Sequence, residues 1–189
     1  SLVRETARLL QVSISKKCAL QLQLADELPD CQGDVGQLRQ VIMNLVINAS
    51  DAIGEHDGHI TVTTKTEVIA TGKDDAWYPG GELPAGKYVC LAVADDGCGM
   101  DEATRQNLFD PFFTTKVSGR GLGMSVVLGV VRSHGGKISL DTRVGAGTTF
   151  RVLLPAVDRP TPGAVAVERP LGQFQLAGTV LVADDEPTV

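Results

Sequence analysis

The sequence predicts an α+β fold, a two-layer α/β sandwich with helices packed on one face of a mixed, mostly antiparallel sheet. Three observations point there. Residues 59–68 (HITVTTKTEV) and 87–95 (KYVCLAVAD) are β-rich runs that read as a hairpin with a long polar tip. Residues 137–142 (KISLDT) and 148–155 (TTFRVLLP) read as a second hairpin across Val144-Gly145-Ala146-Gly147. Residues 34–53 carry a helical apolar period, and residues 124–131 (MSVVLGVV) form a short apolar run that ends at His134-Gly135-Gly136.

Taken in order, residues 2–17 place Leu2, Val3, Leu9, Leu10 and Ile14 among charges at roughly helical spacing, predicting an amphipathic first helix. Residues 19–25 (ALQLQLA) alternate leucine with glutamine, the period of a strand buried on one side. Asp34 is placed to cap the next helix, with Leu38, Val41, Leu45, Ala49 and Ala52 as its core stripe and Gly54 as its stop. The hairpin tip contains Gly72, Trp77, Tyr78, Pro79, Gly80, Gly81 and Pro84. Asp101 can cap a short helix to Leu108, and a glycine-bearing loop then runs to Arg120. The helix after that loop is apolar almost all round, so burial on every side is expected. The domain is expected over residues 1–156, followed by a Pro-rich linker over 157–178.

At 189 residues the chain can hold one full core and a tail, and 43% hydrophobic with 21% charged residues excludes general disorder. A net charge of -6 has the wrong sign for nucleic acid or an anionic membrane. No apolar run reaches the ~18 residues of a membrane span and no signal-peptide pattern opens the chain, so neither insertion nor export is expected and a cytoplasmic location is. Cys18, Cys31, Cys90 and Cys98 form no C-x-x-C pair, which argues for reduced thiols rather than zinc or disulfides. A start at Ser1 reads as a boundary within a longer protein.

Three clusters carry chemistry. Asn44 and Asn48 lie four apart on one helix face, with Asp51 continuing the line. An amide oxygen there can ligate Mg2+, or both amides can bond nearby backbone. Asp95-Asp96-Gly97-Cys98-Gly99-Met100 ends a buried strand, where a fixed carboxylate can accept from an exocyclic amine; a plain β-turn is the alternative. Gly119-Arg120-Gly121-Leu122-Gly123 opens the apolar helix, and backbone N–H groups there suit phosphates, with Lys116 and Arg120 adding charge; a flexible connector is the alternative.

In chain order these clusters, with Asn107-Leu108-Phe109-Asp110-Pro111-Phe112-Phe113 and Gly147-Thr148-Thr149-Phe150, span residues 40–150 and resemble the catalytic ATP-binding domain of sensor histidine kinases. That places the chain beside the GHKL superfamily of gyrase, heat-shock chaperone and mismatch-repair ATPases. The resemblance implies that Asn48 coordinates Mg2+ bridging the ATP phosphates, with Asn44 as polar support, and that both act in catalysis with Lys116 and Arg120. It implies that Asp95 reads the adenine amine, Gly97, Gly99 and Met100 line the base pocket, and Thr148 joins through water. Asp51, Ala52, Phe113, Thr114, Gly119, Arg120, Gly121, Leu122, Gly123 and Met124 complete the nucleotide site, under a lid from about Phe113 to Arg120 that Phe109, Phe112 and Phe113 clamp to the core.

The hydrolytic members of the superfamily carry Glu where this chain has Asn44, and an amide cannot act as general base. The resemblance therefore implies transfer of the γ-phosphoryl to a histidine on dimerisation and phosphoacceptor helices absent from the chain, leaving the fragment monomeric and nearly inactive alone. Asp51 departs from the basic residue many histidine kinases have there. Residues 179–189, with VLVADDEP and the acidic pair Asp184 and Asp185, resemble the first strand of a receiver domain, the layout of a hybrid kinase whose full length can be membrane-tethered. Of the three histidines, His56 and His59 are expected in a surface turn about Asp57-Gly58, and His134 as a donor at a helix C-terminus. Cys98 is expected to pack as a small residue. A GHKL ATPase or serine kinase, or a degenerate nucleotide-sensing module, are the alternative functions.

Overall fold

The computed structural model describes residues 1–11, 13–70, 72–73, 77–78, 82–116 and 119–157. The expected linker beyond Val157 and the receiver-like strand at 179–189 lie outside the described residues. In chain order the elements are α1 (Leu2–Leu10), β1 (Cys18–Leu24), β2 (Asp30–Cys31), α2 (Val35–Ile53), β3 (Gly58–Ile69), β4 (Gly72–Lys73), β5 (Trp77–Tyr78), β6 (Glu82–Leu83), β7 (Gly86–Asp95), α3 (Glu102–Asn107), α4 (Gly123–Ser133), β8 (Lys137–Arg143) and β9 (Gly147–Val157).

The main sheet runs β1-β3-β7-β9-β8-β5, with β2 added to β9. The β3–β7 and β8–β9 hairpins form as expected, registered by Val62↔Val93 and Leu140↔Phe150. β1 joins β3 in parallel, Cys18↔Gly58 through Leu24↔Thr64, which makes the sheet mixed. Alternation places Ile60, Val62, Leu91, Val93, Val152 and Leu154 on one face, where they meet Val41, Leu45, Ala49, Val127 and Val131 of the helices. On the other face Leu83 closes over Tyr88, Cys90 and Leu153. Beside them Arg151 Nη2 donates to both Glu67 carboxylate oxygens at 2.7 and 2.8 Å, and Lys65 pairs with Glu67 at 2.9 Å. Burial pushes the Glu67 carboxyl up, but the Lys65 and Arg151 bonds outweigh it and leave the group below the ordinary range.

Helix α2 is built as its sequence directs: Asp34 Oδ1 accepts from the Gln37 N–H at 2.8 Å, and Gly54 ends the helix at φ 66°. Its axis carries the site, because α2 crosses the sheet with its last turn against the end of β7. There the Cys98 N–H donates to the Ala52 carbonyl at 3.0 Å. A Cβ on Gly97 would stand 2.6 Å from the Ala52 carbonyl carbon and oxygen, so only glycine allows that approach.

Several expectations need correction. The first helix stops at Leu10 rather than 17, because Ile14 and Cys18 turn inward to the core and the Ser15 N–H bonds Ser50 Oγ at 3.1 Å. β1 is an edge strand, so Leu22 stays 39% exposed despite its alternation. α4 is fully buried only along Met124, Val127 and Val131, the stripe that faces α2 and β8, with Leu128 and Val130 partly buried beside it. His56 lies in the exposed turn after α2 as expected, but His59 stands on β3, because Gly58 begins a strand that pairs in parallel with β1. His134 does act as a donor, from Nδ1 to the Val130 carbonyl at 2.7 Å, while its Nε2 accepts from the Asp34 N–H at 3.0 Å.

Replacing Gly97 with Ala should lower stability by about 1–3 kcal/mol, the range for overpacking against fixed backbone. Urea unfolding of parent and variant checks this; equal midpoints would mean that the α2–β7 junction has room to spare.

Candidate nucleotide site

A cavity of about 780 Å³ opens between α2, the turn after β7, the loop 113–120 and the start of α4. From α2 it is lined by Asn48, Asp51 and Ala52; from the β7 turn by Asp95, Gly99 and Met100; and from β9 by Thr148. The loop contributes Phe113, Thr114, Lys116, Gly119 and Arg120, and the helix start contributes Gly121, Leu122, Gly123 and Met124. Two expected site residues stand off the wall. Asn44 lies one turn behind Asn48 and donates from Nδ2 to the Gly123 carbonyl at 3.3 Å, so it ties α2 to the start of α4. Gly97 faces the Ala52 backbone instead of the cavity, so its part is packing.

Asp95 ends β7 and is mostly withdrawn from water. Burial pushes its carboxyl above the ordinary aspartate range, opposed by hydrogen bonds from the Gly97 and Thr148 backbone and reinforced by neighbouring Asp96. The Gly97 N–H bond to Asp95 Oδ1 is 2.9 Å and fixes the carboxylate plane. Asp96 turns outward and takes the His59 N–H at 2.8 Å and His59 Nδ1 at 3.1 Å; the His59 backbone bond leads in holding its carboxyl below the usual range. Thr148 is buried with its hydroxyl 3.0 Å from that of Thr142, which also accepts from the Met100 N–H at 3.0 Å.

Asn48 and Asp51 lie three apart on one helix face, and both point at the same cation. Lys116 Nζ donates to Asn48 Oδ1 at 2.8 Å and to Asp51 Oδ2 at 2.6 Å. The lysine ammonium stands where a divalent ion would find two hard oxygen ligands. Among the described residues no group of three His, Cys, Asp or Glu could hold a metal by itself. Two protein oxygens suit Mg2+, which keeps waters and takes phosphates for its remaining positions. The first-turn N–H groups of α4 have no side-chain cap at Leu122, the arrangement that accepts an anion.

Sequence reasoning passed over Asp101, Thr104, Leu108, Thr115, Val144 and Phe150, all of which line the cavity, and set Cys98 aside as packing whereas it lines the cavity and is exposed. Asp101 and Thr104 had the signal of a helix cap, which describes their bond at 2.8 Å but not the direction of that end. Val144 arrives from a distant turn by a Gly145 N–H to Cys98 carbonyl bond of 2.8 Å, and no local pattern announces it. Phe112, expected to clamp the lid, is 75% exposed and sits at φ 70°; Phe109 and Phe113 are the partly buried members.

Residues 33–158 match the family described as histidine kinase-, DNA gyrase B- and HSP90-like ATPase, and the chain belongs to that family. Within it the domain is of the sensor histidine kinase catalytic type. It is 35% identical to the sensor kinase CckA of Brucella abortus (strain 2308) over 96% of this chain and 20% of that protein. It is 39% identical to the sensory histidine kinase/phosphatase NtrB of Azospirillum brasilense over 69% of this chain and 32% of that protein. The catalytic domain of histidine kinase ThkA superposes with a TM-score of 0.63 at 30% identity, covering 82% of this chain and 90% of that one. The chain thus spans a third or less of these curated relatives.

Asp95 also makes a stability prediction. Its folded pKa lies above the unfolded value, so the cost of ionising it is fully present above the folded pKa and disappears as pH falls through it. Asp95→Asn should therefore leave the thermal midpoint at pH 7 equal or higher, with the difference closing below about pH 4, the ordinary aspartate range. Melting curves from pH 3 to pH 8 check it; a variant less stable at pH 7 would show that the carboxylate stabilises the fold.

Proposed function

We propose that this domain binds Mg-ATP and donates the γ-phosphoryl group to a histidine on dimerisation and phosphoacceptor helices outside the chain, in a two-component phosphorelay. One observation carries the reading: a single cavity is walled by a half-buried carboxylate, an oxygen pair that already holds a cation, and an uncapped glycine-rich helix start. The sensor kinases among its relatives support it.

In this reading Asp95 accepts from the adenine amine, Gly99 and Met100 line the base, and Thr148 reaches it through water. Asn48, with Asp51, holds Mg2+, which when bound neutralises phosphate charge. The α4 amides meet phosphate oxygens, and Lys116 and Arg120 supply charge from the lid. The acceptor imidazole nitrogen forms a bond to Pγ as the bond from Pγ to the bridging oxygen breaks, and ADP leaves with that electron pair. This chain positions and excludes water but provides no base, because the residue one turn behind Asn48 is the amide of Asn44. That disfavours a hydrolytic ATPase.

The same proposal divides the chain into a catalytic domain at 1–156, a linker at 157–178 and the opening of a receiver domain at 179–189, as in a hybrid kinase. Its partners are then the phosphoacceptor helices and the receiver of the same protein, with no nucleic acid. The fragment is monomeric and cytoplasmic. No described helix is long and apolar enough to cross a membrane.

Calorimetric titration with ATP tests the site. The parent should bind more tightly with Mg2+ than without; Asn48→Ala should lose that enhancement, and Asp95→Asn should lose about ten- to hundredfold in affinity in either buffer. A parent that binds no nucleotide would overturn the proposal.

A further inference from the structure

The insertion between β3 and β7 does more than cap a hairpin. Its strand β5 pairs with β8 through Trp77↔Ser139 and Tyr78↔Ile138. Strand order puts β7, β9 and β8 between that edge and β3, so the insertion spans the sheet to reach it. Directly opposed residues share a face. Ile138 is fully buried under the helices, which places Tyr78 on the helix side of the edge. There its ring meets Phe109, with centroids 4.9 Å apart and planes inclined at 49°, and both rings pack on the main core.

Phe109 stands at the foot of the lid. Its neighbour Leu108 and, four residues on, Phe113 both line the nucleotide cavity. The foot is pinched by the Phe112 N–H to Gly121 carbonyl bond at 2.9 Å, beside two local turn bonds, Asp110 N–H to the Asn107 carbonyl at 2.9 Å and Phe113 N–H to the Asp110 carbonyl at 3.2 Å. Gly121, at φ 67°, allows this, since a Cβ there would lie 2.3 Å from the Phe112 carbonyl carbon. Phe112 holds φ 70°, a backbone state that bulky residues avoid, and its 75% exposed ring does little to keep it there. The constraint must come from its neighbours. On one side that is the bond to Gly121 and the Phe113 to Asp110 turn; on the other it is Phe109, which anchors that turn to the core through Tyr78.

We infer that Tyr78 is a positioning residue for the nucleotide lid: through Phe109 it fixes the foot of the loop and so the direction in which residues 113–116 leave the core. For its effect on nucleotide the inference rests on the function proposed above. For its effect on the lid it rests on the strand pairing and the ring contact alone.

Hydrogen exchange on the nucleotide-free chain separates the two. In Tyr78→Ala the amides of Phe112 and Phe113 should exchange about two- to tenfold faster, the worth of one aromatic pair, while Val62 and Val93 in the central ladder keep their rates. Tyr78→Phe, which keeps the ring, should match the parent. ATP affinity should fall by a similar factor in Tyr78→Ala and recover in Tyr78→Phe. Unchanged Phe112 exchange would overturn the inference, as would equal acceleration in the central ladder or a Tyr78→Phe variant as loose as Tyr78→Ala. If the parent binds no ATP, the proposed function fails, while the exchange rates still decide whether Tyr78 holds the lid.

Discussion

The junction between the last turn of α2 and the turn after β7 is the constraint on which the site depends. Asp95 belongs to the sheet and Asn48 and Asp51 to a helix above it, and side chains on separate elements converge only if the elements are locked. The lock is the Cys98 N–H to Ala52 carbonyl bond of 3.0 Å, made possible because Gly97 has no Cβ to strike the Ala52 backbone. A helix end is where a carbonyl is free to accept such a bond. The glycine therefore serves the nucleotide site without touching the cavity, and the C-terminus of α2 gains a partner for an otherwise unsatisfied group.

The Asp95 carboxylate works against the fold. Asp95 is held in a place that penalises its ionised form, and two backbone N–H groups only partly offset that. A protein selected for stability alone would have an apolar or amide side chain there. Asn44 is the reverse case: its amide is satisfied by the Gly123 carbonyl and ties α2 to the start of α4, so it sets the spacing between the Asn48–Asp51 oxygens and that helix start.

Much of this was legible because it is local. Asp34 and Gly54 bound α2 where a cap and a stop were expected, and period-2 runs gave both long hairpins. What escaped was non-local. The parallel β1–β3 pairing depends on how the chain returns after α2, and the reach of the insertion to β8 leaves no periodic trace in a polar, Gly- and Pro-bearing segment. The site was legible as a set of residue types, since Asn48, Asp51, Asp95 and the glycines of the α4 start do meet in one cavity. Apolarity misled twice: α4 and Phe112 both read as buried, yet α4 is fully buried on one stripe alone and the Phe112 ring is 75% exposed, because burial depends on what lies opposite.

Asp51 departs from the basic residue expected three after Asn48, and its geometry gives that departure a use. The lid lysine, Lys116, reaches back across the cavity and pairs with Asp51 and Asn48. Side chains 41% and 45% exposed make an ion pair worth only about 0–1 kcal/mol. In the proposed function a bond that weak would not hold the lid shut against Mg-ATP, whose phosphates would offer Lys116 several charges and whose metal would offer Asp51 a divalent partner. It is strong enough to give the lysine a preferred position while the oxygens wait. In the proposed function, ligand entry is then an exchange of partners rather than the uncovering of a bare carboxylate, and the negative charge of Asp51 stays neutralised in both states.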